Sequence, residues 1–366
     1  MKKALLLPRK YVQGRGIVSE IGPYAAMLGK KAVVTWGGKT KAAVGEAVLN
    51  SLEAAGVEYV DDHFNGECTK AEARRIADAA RGSDMVIGLG GGKAIDTAKG
   101  AAIFAKLPHI IVPTVASNDS PTSACSVWYD DEGVCVGFDL WPCNPDYILV
   151  DTEVIAKAPL RLFIAGIGDA MSTWFETEAS FASRAVTCSG GAPTMTVMAM
   201  AKLCFEILME YGFAAIEAVK VHAVTPAVEK VIEATTLLSG VGWESGGLTT
   251  AHQIANALPA LHETHACLHG EKVTFGLMTQ LCLDDSLSSA LIDATAVFLA
   301  KAGLPVTFAG INIDGVSEER LRAFANGIVG EGSFVNNHNF TASGGDIYDA
   351  MKAADALGKR IKATLE

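Results

Sequence analysis

The stretch Gly88–Lys99, reading GLGGGKAIDTAK, narrows the fold choices more than any other part of this chain. The run from Asp84 to Ile87 before it, apolar from Met85, has the make-up of a buried strand. Ala94, Ile95, Ala98, Ala101, Ala102 and Phe104 after it recur at helical spacing. A strand, a glycine turn and a helix leave free backbone N–H groups at the positive end of a helix macrodipole, which attracts a phosphate. Gly90, Gly91 and Gly92 in succession let that backbone approach an anion with no Cβ in the way. A tight turn without a ligand needs fewer glycines, so the run reads as a phosphate site.

The kind of phosphate site is left open by the motif. A Walker loop wants glycine where Ile87 stands and Ser or Thr where Ala94 stands. A Rossmann fingerprint wants its third glycine where Lys93 stands. The run therefore says phosphate or pyrophosphate and no more.

The rest of the chain supplies a domain plan. At 366 residues there is room for about two domains with substantial cores. Half the residues are hydrophobic, 7% are aromatic and 37 are glycine, which suits an α/β protein with tight turns. Strands are expected at Ala32–Thr35, Val57–Val60, Met85–Gly88, His109–Val112 and Tyr147–Val150, with helical patterns at Lys41–Ala55, Lys70–Arg81 and Lys93–Ala105 between them. That alternation predicts a parallel sheet flanked by helices. Ser126–Trp141 reads as an inserted β-hairpin around Asp130-Asp131-Glu132-Gly133. From about Pro159 the strand signal stops, and helices are expected at 160–185, 193–211, 225–239, 247–258, 270–284, 287–302, 317–329 and 345–362. The expected domains are thus an α/β domain over 1–157 and an all-α domain over 158–366.

Charge and cysteine usage exclude some classes. With 30 basic and 41 acidic side chains the net charge is −11, and no basic run stands out, which argues against a nucleic-acid partner. The opening MKKALLLPRKYVQ has too short an apolar core for a signal peptide, and no run reaches membrane-spanning length. The eight cysteines show no C-x-x-C pairing and read as reduced packing residues. A cytoplasmic location, no membrane partner and a homo-oligomer are expected.

Two groups of residues could carry chemistry. Asp169, His252 and His269 are ionisable residues in apolar helical surroundings, and one carboxylate with two imidazoles makes a plausible zinc site with an open fourth position. Spacing alone does not assign it, since each histidine taken singly also fits a satisfied core position. The second group is Pro113–Ser123, where small hydroxyl side chains follow the fourth strand beside the glycine turn. It suits a cofactor and substrate rim, or equally an ordinary polar capping loop.

Taken together, GGGKAIDTAK, the Pro113–Ser123 loop, AGIGDAMSTWFE at 165–176, SGVGWESGGLTTAH at 239–252 and LHGEKVTFG at 268–276 resemble the glycerol dehydrogenases. These are a branch of the iron/zinc-type, metal-dependent alcohol dehydrogenases, and the resemblance runs in order over nearly the whole chain. It implies the fold shared with dehydroquinate synthase: an N-terminal α/β dinucleotide-binding domain with a parallel sheet, and an all-α C-terminal metal-binding domain. Carried over by motif, it implies Asp169, His252 and His269 as metal ligands that also meet the substrate. Gly90, Gly91, Gly92 and Lys93 would hold the pyrophosphate. Thr114, Ser117, Ser123, Cys125 and Tyr129 would line the nicotinamide and ribose, and Asp119 would face the substrate hydroxyls.

Two departures qualify the pattern. Iron-type members carry histidine four residues after the aspartate, where this chain has Thr173. A three-ligand site fits the zinc-using branch better, so Zn²⁺ is expected over Fe²⁺. An acidic residue that would bind the adenosine ribose is replaced by Trp36, whose indole can stack on adenine, and Lys39 and Lys41 follow it. NAD with weak discrimination against NADP is expected. The implied reaction is reversible oxidation of glycerol, or a related vicinal diol, to dihydroxyacetone, with zinc as Lewis acid. The alternative is a same-fold enzyme on a phosphorylated substrate, a glycerol-phosphate dehydrogenase or a dehydroquinate-synthase-like lyase. Such an enzyme needs extra Lys or Arg, and the motifs after His252 offer mainly Lys272.

Overall fold

The structure, a computed structural model, describes residues 2–365. Its strands are β1 (Tyr11–Gly14), β2 (Lys31–Trp36), β3 (Glu58–His63), β4 (Met85–Gly90), β5 (His109–Pro113), β6 (Cys125–Tyr129), β7 (Cys135–Leu140) and β8 (Tyr147–Asp151). Six of them form one sheet in the order β1-β8-β5-β4-β2-β3, with every neighbouring pair parallel. β4, β5 and β8 are buried along their whole length, as expected for near-continuous apolar strands covered on both faces. β3 lies at one edge and reads EYVDDH, with half its residues exposed. β6 and β7 form the expected antiparallel hairpin, with a register shift at Trp128/Tyr129.

The strand order reverses between β2 and β4, because β3 lies on one side of β2 and β4, next in sequence after it, lies on the other. Open parallel sheets bind ligands outside the carboxyl ends of the strands at such a reversal. Gly37, just after β2, and the Gly90–Gly92 turn after β4 meet there. A Cβ at Gly37 would come within 2.5 Å of the Ala94 Cβ, so glycine is what lets the two turns close together.

The chain divides into two compact units. The sheet unit holds Leu6–Phe163 and also Ala214–Gly240. The helical unit holds Ile164–Phe213, the described residues before Leu6 and those after Gly240. This differs from a single cut after residue 157, and the reason is a polar network under β1. Gln13 donates to the Glu229 carboxylate and carbonyl, both at 2.8 Å. The Thr152 hydroxyl donates to the same carboxylate at 2.7 Å, and Tyr11 hydrogen-bonds Thr236 at 2.8 Å. The segment Pro226–Leu238 is thereby fastened to the sheet, and within it Ala234–Leu238 is a π turn where an uninterrupted helix is expected.

In the helical unit the main elements include Leu160–Ser183, whose first turn belongs to the sheet unit, Thr250–Ala257, His269–Leu283, Ser289–Lys301 and Gly344–Leu365. The helix His269–Leu283 buries ten of its residues, among them Val273, Phe275, Leu277, Met278 and Leu281. Among the described residues, no helix is long and apolar enough to cross a membrane.

Candidate metal centre and nucleotide cleft

Asp169, His252 and His269 come from three helices, and two glycines on one of these bring the three together. A Cβ on Gly270 would lie 1.9 Å from the Ala165 carbonyl oxygen, and one on Gly276 would lie 2.1 Å from that of Ala251. Backbone therefore meets backbone on both sides of the helix His269–Leu283. Ala165 is one turn before Asp169, and Ala251 is next to His252. The result is a compact donor set: one atom from each of Asp169, His252 and His269 lies within 4.8 Å of the others. Asp169 Oδ1 is 3.4 Å from His252 Nε2 and 3.6 Å from His269 Nε2.

One hard carboxylate and two borderline imidazole nitrogens suit a divalent transition ion such as zinc, which catalytic sites hold with three protein ligands and an open position. Asp169 and His252 are buried, whereas His269 keeps 37% of its side-chain surface open, so the set has an accessible side. Thr173, at the position of the iron-type histidine, is buried, and a Cβ on Gly242 would lie 2.2 Å from its Cγ2. Among the described residues the cluster offers three donor residues, Asp169, His252 and His269.

Two buried carboxylates, Asp169 and Glu176, flank the His252 imidazole. Burial disfavours the charged form of His252, but Glu176 and Asp169 outweigh it and hold its pKa well above the ordinary histidine value. For His269 burial prevails over the attraction of Asp169, and its pKa falls. Glu176, fully buried, is held below the usual carboxylate range because His252 and backbone N–H groups overcome the cost of burying it. Glu176 was not singled out by the sequence reading. The signal was present: it stands seven residues after Asp169, two turns along the same face of the helix Leu160–Ser183.

The sheet unit contains a separate cleft of about 750 Å³, within the size range of cofactor sites. Gly37, Gly38, Lys39 and Thr40 line it from the β2 side, and Gly91, Gly92, Lys93, Ala94, Thr114 and Ser117 from the β4 and β5 side. The helix Gly92–Ala105 starts in this lining with no side-chain cap, so its first N–H groups are available to an anion. Asp151 shapes the far wall by accepting from the N–H groups of Gly16 and Val18, each at 3.2 Å.

The other expected cofactor residues are placed differently. Lys93 lines the cleft, but its ammonium is bound to Glu67 at 2.5 Å and lies 4.5 Å from the Tyr129 ring centre, so the anion-facing groups are the backbone amides. Ser123, Cys125 and Tyr129 are not in the lining of this cleft. Ser123 instead receives a hydrogen bond from Lys99, and burial raises the Tyr129 pKa far above its ordinary value. Trp36 corrects the adenine-stacking expectation: it is fully buried in the core, and its indole N–H donates to Asp61 at 2.7 Å. Asp61, inside β3 and in register with Val34, is also paired with Lys41.

Asp119 is 7% exposed and accepts from the Ser239 hydroxyl at 3.0 Å. The loop carrying it is fixed by two buried residues of the glycine motif that the sequence reading left unassigned. Lys99 pairs with Asp96 at 2.8 Å and donates to the Ser120 carbonyl at 2.9 Å. Asp96 in turn accepts from the Ser120 hydroxyl at 2.6 Å and from the Val127 N–H at 3.0 Å. Stripping one partner from a buried pair of this kind costs about 3–5 kcal/mol. Asp96 and Lys99 of the motif thus hold the loop and hairpin.

Comparison with known proteins agrees with this geometry. The profile of the family described as iron-containing alcohol dehydrogenase matches residues 8–152. A glycerol dehydrogenase of Thermotoga maritima is 42% identical, the match covering 98% of each chain. A glycolaldehyde reductase of Halobacterium salinarum is 40% identical over 97% of this chain and 98% of its own. The crystal structure of glycerol dehydrogenase from Schizosaccharomyces pombe superposes with a TM-score of 0.95 at 34% identity, covering 100% of this chain and 93% of that one.

Proposed function

Given that this chain belongs to the iron-containing alcohol dehydrogenase family, we propose that it oxidises glycerol reversibly to dihydroxyacetone with a nicotinamide dinucleotide and a zinc ion. The observation that carries the reading is the three-ligand set Asp169, His252 and His269 in a chain similar to glycerol dehydrogenases over nearly its whole length. When bound, a divalent ion supplies Lewis-acid polarisation of an alcohol and the dinucleotide supplies the hydride acceptor.

The chain's own residues do the rest. Asp169 brings negative charge to the ion, and the two imidazoles offer neutral nitrogen donors. Thr173 in place of a fourth ligand supports zinc over iron. The backbone amides of Gly91, Gly92 and Lys93 at the helix start are proposed to bind the pyrophosphate, with Gly90 shaping the turn. Thr114 and Ser117 line the same cleft and are proposed to orient the nicotinamide end. Asp119 is proposed to accept hydrogen bonds from substrate hydroxyls, which favours polyols over simple alcohols. NAD is the proposed cofactor; the carboxylate of Asp61 is already engaged by Trp36 and Lys41, which supports weak discrimination against NADP.

Reduction of glycolaldehyde is a second reading, favoured by the relative from Halobacterium salinarum. It would use the same site in the opposite direction, reducing a small hydroxyaldehyde to a vicinal diol at the expense of the reduced dinucleotide. The test of the site itself is His252→Ala. Two ligands hold zinc poorly, so the variant should bind no stoichiometric metal and lose essentially all turnover while staying folded. A metal-free His252→Ala protein that turns over glycerol at the wild-type rate refutes the assignment.

A further inference from the structure

We infer that Glu176 is a positioning residue that holds the imidazole of His252 through Nδ1 and so leaves Nε2 as the nitrogen offered to the ion, resting on the reading of Asp169, His252 and His269 as the metal site. The two oxygens of its carboxylate do different work. Oε1 accepts from the Thr249 N–H at 2.8 Å and from the His252 N–H at 3.0 Å, bracing the start of the helix Thr250–Ala257. Oε2 lies 2.5 Å from His252 Nδ1 and accepts from the Ser172 hydroxyl at 3.1 Å. Glu176 is fully buried, so no water competes for these positions.

A carboxylate is an acceptor only, and the Nδ1 beside it must therefore carry the hydrogen. With Nδ1 protonated, Nε2 is the nitrogen left for the ion, and it is the one 3.4 Å from Asp169. Helix bracing alone does not require this contact. Gln280 braces the same helix, accepting from the Ala251 N–H at 3.0 Å and the Thr249 hydroxyl at 2.7 Å, and no hydrogen bond ties it to either imidazole. Glu176 differs from it in reaching the ring.

Glutamine at 176 separates the two roles, because an amide has one acceptor oxygen where the carboxylate has two. If that oxygen stays on the Thr249 and His252 N–H groups, the amide NH₂ faces Nδ1. The ring must then accept there and protonate Nε2, the nitrogen the ion needs. If the amide flips, its NH₂ meets two backbone donors and the helix start is destabilised.

The experiment titrates zinc into metal-depleted wild type and Glu176→Gln with a competing chelator dye, and measures the melting temperature of each metal-free protein. We expect E176Q to melt within a few degrees of wild type and to bind zinc about 10–100-fold more weakly, the range for removing a hydrogen-bond partner behind a metal-binding histidine. Wild-type-like zinc affinity in folded E176Q overturns the inference and leaves the metal site standing. Failure of wild type to bind zinc refutes the site itself. If E176Q does not fold, Gln280→Ala carries the test: it removes the other brace without touching a ring. The inference requires its zinc Kd to stay within about threefold of wild type, and a loss of tenfold or more overturns it.

Discussion

Asp119 sits with little exposure in a loop that Lys99 and Asp96 also help to fix. Replacing it by asparagine keeps the shape and removes the charge. A hydrogen bond to a charged acceptor contributes about 1.5–3 kcal/mol. Asp119→Asn should therefore raise KM for glycerol by about tenfold or more while leaving zinc binding intact, at 1.4 kcal/mol per decade. The check is a panel of glycerol, 1,2-propanediol and 2-propanol; an unchanged profile reduces Asp119 to a partner of Ser239. At this scale the grouping of Asp169, His252 and His269 was legible, but through five motifs read together rather than through any spacing. Glu176 shares a helix face with Asp169, but its partner His252 lies 76 positions away, so the pairing itself has no local signal. Trp36 was misread for the converse reason. Its position at a strand end suggested a ligand face, and burial against the core together with the Asp61 bond took that face away.

Elements were more legible than residues. Five of the six strands of the main sheet, the hairpin and the helical second half follow from apolar runs and turn signals. β1 was missed because Tyr11–Gly14 is a four-residue edge strand with no fully buried position, and so has no apolar pattern. The boundary of the sheet unit was missed because Gln13 and Glu229, which fasten Ala214–Gly240 to it, are distant in sequence. Helix crossings were also illegible, although their cause is written in the chain as Gly270 and Gly276. Adding one methyl at Gly270 drives a carbon into the Ala165 carbonyl and moves the His269 helix from Asp169. Gly270→Ala is expected to cost about 1–3 kcal/mol of stability and to weaken metal binding. Gly315→Ala, where a Cβ meets nothing within 4 Å, is the control. Equal melting temperatures for the two variants would show that the crossing tolerates the methyl.

At the scale of the whole molecule, acid stability follows from a histidine outside both sites. Burial drives the pKa of His109 in β5 down to about 4, from an ordinary value near 6.5. The unfolded chain binds a proton there below about 6.5 that the folded chain does not bind until about 4, so this residue lowers stability as pH falls through that window. The loss reaches about 3 kcal/mol at 1.36 kcal/mol per unit. His109→Leu should flatten the decline between pH 7 and pH 4.5 in urea denaturation. Parallel curves for variant and wild type would show that other groups set the acid limit.

The central claim, that this chain is a zinc-dependent polyol dehydrogenase, meets its most direct test in metal-depleted wild-type protein assayed for NAD reduction with glycerol. Chelation should leave negligible turnover, with activity returning in proportion to added Zn²⁺ and saturating at one ion per chain. Undiminished glycerol oxidation by protein shown to contain no metal would contradict it.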